Sequence, residues 1–190
     1  MIYEFCAENV TLLEKAMQAG ARRIELCDNL AVGGTTPSYG VTKAAVELAT
    51  NYDTTIMTMI RPRGGDFVYN DIEISIMLED IRLTAQAGSQ GVVFGALTAG
   101  KKLDKFNLEK LIAASKGMEI VFHMAFDELS DEDQLEAIDW LSQAGVTRIS
   151  TRAGVSGDSL EKRFAHYRRI LEHAASKIEI LPGGGIDMDN

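Results

Sequence analysis

Cysteine is nearly absent: the 190 residues hold two, Cys6 and Cys27, too few for a disulfide framework, and both fall in apolar runs that read as strands. They are expected to be reduced thiols. Basic side chains are also scarce, 19 against 28 acidic ones, and the resulting net charge of −9 repels phosphate backbones and anionic membrane surfaces. Nucleic acid and membrane are thereby set aside as partners. No stretch approaches the roughly 18 consecutive apolar residues that a spanning helix needs. The opening MIYEFCAENV has no basic region ahead of an apolar one, so a cytoplasmic location is expected.

What the chain does have is a 46% hydrophobic content, enough for one substantial core, arranged in a regular alternation. Short runs rich in β-branched and aromatic residues alternate with stretches of helical period, the pattern of repeated βα units on a parallel sheet. Strands are expected near Ile2–Cys6, Arg23–Asp28, Thr54–Arg61, Gly91–Leu97, Glu119–Phe126, Arg148–Thr151 and Ile178–Leu181. Helices are expected near Thr11–Ala19, Val41–Asn51, Ile72–Ala87, Leu108–Ser115, Asp131–Ala144 and Leu160–Ala175, with Asp71, Asn107, Ser130 and Asp158 as N-caps. The tripeptide Gln-Ala-Gly recurs at 18–20, 86–88 and 143–145, each time ending a helix shortly before a strand.

No linker interrupts the pattern, so residues 1–190 read as a single domain. Its expected class is α/β, a TIM-like (β/α) barrel. The last strand runs into Gly183-Gly184-Gly185-Ile186-Asp187, a loop placed to open another helix, and the chain is short of the roughly 200 residues of a small closed barrel. One or more C-terminal units are therefore expected to be missing. The longest irregular segments, 29–40 and 62–70, follow strands at the end where barrel sites gather.

The two-residue period of a strand puts Glu4 with Cys6, Glu25 with Cys27, Met59 with Arg61, and His123 with Asp127. Buried charges need partners, so Glu4, Glu25 and Arg61 suggest an internal ion network, and a Glu25–Arg61 pair that merely neutralises the barrel centre is as good a reading as a catalytic one. Arg61-Pro62-Arg63-Gly64-Gly65-Asp66-Phe67 is the least generic segment: two guanidinium groups around a fixed proline suit a carboxylate or phosphate, although an Arg63–Asp66 salt bridge explains it structurally. His123 could move a proton near neutral pH with Asp127 orienting it. His166 and His173 lie two turns apart on one helix, about 10 Å by rise, too far to share a metal, and are expected at the surface.

Cys6 and Cys27 fall on neighbouring strands about 4.8 Å apart, a separation at which two thiols suit a soft monovalent metal such as copper(I). Two buried, small hydrophobes are the plainer alternative.

Glu25-Leu26-Cys27, the run Gly33 to Gly40, the segment Arg61 to Phe67, Phe122 to Asp127 and Pro182 to Gly185 together resemble the CutC copper homeostasis family over the whole chain. The resemblance implies a TIM-like barrel, a cytoplasmic location, a role in copper handling, and Cys6 and Cys27 as copper(I) ligands. Two departures stand out: Thr151-Arg152-Ala153-Gly154 replaces the family's threonine, serine and glycine after the sixth strand, and Met124 stands where an arginine often follows the histidine.

Two functions remain open at this point. One is a copper(I)-binding homeostasis protein using Cys6 and Cys27. The other is a barrel enzyme for a small anionic metabolite, with His123, Asp127, Glu25 and Arg61 as catalytic groups and Arg61, Arg63, Arg152, Gly183, Gly184 and Gly185 around the anion. Arg61, Arg63 and His123 are expected to line one positively charged mouth, with Glu25 beneath and the two cysteines side by side and buried. Assembly into a homo-oligomer stays open.

Overall fold

The alternation becomes seven parallel strands and six α-helices in a computed structural model that describes residues 2–154, 158–184 and 186. The strands are β1 (Glu4–Glu8), β2 (Arg23–Cys27), β3 (Thr55–Met59), β4 (Gly91–Phe94), β5 (Glu119–Phe122), β6 (Arg148–Thr151) and β7 (Glu179–Pro182). They pair in chain order, each parallel to the next. Between them run α1 (Leu13–Gln18), α2 (Tyr39–Ala49), α3 (Asp71–Ala87), α4 (Lys105–Ala114), α5 (Asp131–Gln143) and α6 (Leu160–Ala174). Among the described residues no helix is long and apolar enough to cross a membrane.

The repeated Gln-Ala-Gly does what the sequence suggests: Gly20, Gly88 and Gly145 have φ of 101°, 87° and 90°, left-handed values that end a helix without a Cβ penalty. N-caps follow the expected chemistry one to three residues from the expected places. Ser130 caps α5, but Asn70, Asp104 and Ser159 cap α3, α4 and α6 instead of Asp71, Asn107 and Asp158. Asn70 wins because it forms a complete capping box with Glu73.

Side-chain parity divides the sheet into two faces. Ile24, Leu26 and Ile56 pack outward on Leu13, Met17, Ala45 and Ala49 of the first two helices, whereas Cys27, Met57, Met59, Val93 and Val121 form a separate inner cluster. The sheet is curled into the wall of a TIM-like barrel. Five strand spacings, about 24 Å in a flat sheet, separate β2 from β7, yet Arg23 of β2 lies 3.9 Å from Glu179 of β7.

That contact belongs to an ion network at the N-terminal ends of the strands. Arg23 also pairs with Glu4, and Arg148 pairs with Glu179 at 3.2 Å and Glu119 at 2.7 Å. The expected network therefore exists with a different membership: Glu4 is in it, while Glu25 and Arg61 are not. Arg23 shares the inward parity of Glu25 but sits two residues nearer the strand's start, and Arg61 lies beyond the end of β3.

Candidate functional site

β1 is one end of the sheet and β2 its neighbour, with Cys6 opposite Glu25 and Glu8 opposite Cys27 in the parallel register. Cys6 and Cys27 are thus diagonal neighbours rather than a direct pair. The two Sγ atoms and a Glu25 carboxylate oxygen nevertheless all lie within 4.8 Å of one another. Both thiols are free; Cys27 is buried, but Cys6 is exposed, contrary to the expectation that both are covered. Among the described residues β1 is paired on one side only, with β2.

Crowding of acids and thiols sets their protonation. Burial, then the nearby Glu4 charge, pushes the Glu25 carboxyl up to about 7, while its hydrogen bond to Cys6 opposes the shift. The hydrogen bond to Cys6, and then burial, holds the Cys27 thiol far above the ordinary thiol range. Cys27 is therefore a protonated S–H near neutral pH.

Beyond the thiols, a cavity of about 80 Å³ opens among Glu25, Met59, Phe67, His123, Met124 and Ser150. β2, β3, β5 and β6 and the loops after them bring these residues together at the C-terminal ends of the strands. Glu25 and His123 meet there, as the sequence suggests. The strand expected over Glu119–Phe126 ends at Phe122, and Met124–Glu128 form a 3-10 turn capped by His123 itself. In that role the His123 Nδ1 accepts the Ala125 N–H at 3.2 Å. Nδ1 must then carry its lone pair, and the ring proton of the neutral imidazole belongs to Nε2. Burial, followed by the Arg61 charge, pushes the imidazole down to about 3, so the ring stays neutral. Its Nε2 is buried with no hydrogen-bond partner among the described residues, an arrangement that costs about 1–3 kcal/mol if left unmet.

The arginines are placed otherwise than expected. Arg61, 4% exposed, donates to the carbonyls of Val32, Gly34 and Gly65 and stacks over Phe67 at 4.8 Å. No Glu25–Arg61 pair forms. Arg63 turns to Glu73 and Asp66, outside the cavity wall. Asp127 does not orient His123; its carboxylate accepts from the Thr151 hydroxyl and the Arg152 N–H, fixing the loop after β6. Arg152 lies against Gly184, without an ion pair among the described residues, and the Met124 methyl packs on Gly183 and Gly184. Gly185 lies outside the described residues. His166 and His173, expected at the surface, tie α6 to α5 through Gln134 and Asp139.

Sequence reading missed Gly95, whose position decides that of His123. A Cβ there would sit 2.7 Å from two atoms of the imidazole. The signal was available in parity, since Gly91, Val93 and Gly95 share the inward face beside Val121 and His123.

Comparison with known proteins agrees with this architecture. The CutC family model matches residues 1–190. A family protein CutC of Enterococcus faecalis is 52% identical over 190 residues, covering all of this chain and 91% of that protein. A human protein named copper homeostasis protein cutC homolog is 40% identical over 97% of this chain and 65% of its own length. The crystal structure of a putative copper homeostasis protein CutC from Streptococcus agalactiae superposes with a TM-score of 0.96 at 44% identity, covering 100% of this chain and 90% of that one. A deoxyribose phosphate aldolase of Aeropyrum pernix, at 15% identity and TM-score 0.70, shares the fold alone. With the model match and these identities running along the whole chain, the protein belongs to the CutC family.

Proposed function

We propose that the protein takes up copper(I) as cargo in the cytoplasm, with the Cys6 and Cys27 sulfurs as ligands and the Glu25 carboxylate beside them. One observation carries the reading: two thiols and a carboxylate oxygen within 4.8 Å of one another. Two metal–thiolate bonds of about 2.3 Å span about 4.6 Å, so one ion can bridge these sulfurs with little movement. Thiolate is a soft donor and copper(I) a soft acceptor, which favours this ion over the hard cations that a carboxylate cluster would hold. The buried Cys27 holds the ion away from water. Each thiol loses its proton as its metal–sulfur bond forms, so loading releases protons and tightens as pH rises.

The names of the relatives point the same way, and the acidic chain repels none of the cationic cargo. Competition between reduced protein and a chromogenic copper(I) chelator tests the reading. Wild type is expected to withdraw one equivalent, and the Cys6→Ser, Cys27→Ser double variant to bind at least 100-fold more weakly. Equal withdrawal by the double variant overturns it.

A further inference from the structure

We propose that the cavity at the strand ends, which borders the thiol pair through Glu25 but needs neither sulfur, is a second site that binds a small uncharged hydroxy-carbonyl compound through the Nε2–H of His123. The first support is an unmet donor. His123 is 5% exposed, its Nδ1 is occupied by the Ala125 N–H, and its Nε2–H has no partner among the described residues. A buried donor of fixed tautomer asks for an oxygen acceptor.

Charge narrows the class. No basic side chain lines the cavity: Arg61 gives its two terminal nitrogens to three carbonyls, leaving its Nε without a partner among the described residues, and Arg63 is held by Glu73 and Asp66. Glu25 is the acidic group in the wall, and with it the lining offers a phosphate or carboxylate no cationic partner. A cation is opposed by the imidazole N–H and by the Arg61 charge stacked behind Phe67, whose ring lies 4.8 Å from His123. An uncharged molecule remains.

Size and lining narrow it further. At about 10–15 Å³ per water-sized group, 80 Å³ admits on the order of five to eight non-hydrogen atoms. Phe67, Met59 and Met124 offer apolar contact to a carbon skeleton, while the Ser150 hydroxyl and the Glu25 carboxyl offer hydrogen bonds to hydroxyl groups. A three- or four-carbon hydroxyketone with its carbonyl oxygen on His123 satisfies these surfaces together. The site also lies at the strand ends where (β/α) barrels place their ligands.

The test is a titration of reduced, full-length, ¹⁵N-histidine-labelled protein with 1,3-dihydroxyacetone, observing the His123 Nε2 resonance. A saturable shift is expected, unchanged in the Cys6→Ser, Cys27→Ser double variant. Binding should weaken at least tenfold in Ser150→Leu, which fills the cavity, and in Met124→Trp, a second lining position that serves if Ser150→Leu does not fold. Inorganic phosphate should leave the resonance in place. No saturable shift with dihydroxyacetone, equal affinity in the folded cavity-filling variant, or a saturable response to phosphate each overturns the proposal. Loss of the response in the thiol double variant removes its independence and overturns it too.

Discussion

Arg23 and Glu179 lie 3.9 Å apart although their strands, β2 and β7, stand five places from each other in the sheet. The contact closes one side of a floor made of Glu4, Arg23, Glu179, Arg148 and Glu119. Removing one partner of a buried pair strands the other, at about 3–5 kcal/mol. Glu179 is half exposed, which places Arg23→Met toward the lower end of that range. Urea unfolding measures it; a loss below about 1 kcal/mol would mean that the floor does not hold the curl.

Glu25 should give the fold a pH dependence. Its folded value of about 7 exceeds the ordinary 4.5, so between these values the native state binds more protons than the unfolded chain. Stability contributed by the protonated carboxyl is full below about pH 4.5 and falls as pH rises toward 7, by an amount of order 3 kcal/mol. Glu25→Gln should flatten this slope and be the more stable protein at pH 8. Parallel unfolding curves for the two proteins at pH 5 and pH 8 would contradict the assignment.

Gly95 should not tolerate alanine. The added methyl meets His123 at 2.7 Å and Phe122 at 3.1 Å, so the imidazole must leave its bond to Ala125. Overpacking of this kind costs about 1–3 kcal/mol. Gly100→Ala, which meets nothing nearer than 3.8 Å, should stay within about 0.5 kcal/mol of wild type. Denaturant midpoints for the two variants decide this, and the His123 ¹⁵N resonances should move only in the first.

Most of the architecture was legible because it rests on local rules. Strand parity put Glu25 with Cys27 and Ile24 with Leu26, and those pairs do face opposite sides. The Gln-Ala-Gly stops marked three helix ends because left-handed geometry favours glycine there. Long-range choices were not legible. Arg61 has carboxylates of suitable parity in the sequence, but loop carbonyls from residues 32, 34 and 65 reach it first. Nothing local says that Arg23 and Arg148 neutralise the floor, since their partners come from β1, β5 and β7. The exposure of Cys6, on a strand paired on one side among the described residues, is a tertiary property that its apolar surroundings in sequence do not carry.

X-ray absorption at the copper edge of protein loaded with one equivalent of copper(I) tests the central claim most directly, because it counts the atoms bound to the metal. Cys6 and Cys27 predict a shell of two sulfur scatterers at about 2.3 Å, reduced to one in Cys27→Ser. A shell of nitrogen and oxygen alone in the wild type, or an unchanged sulfur count in Cys27→Ser, would contradict the account.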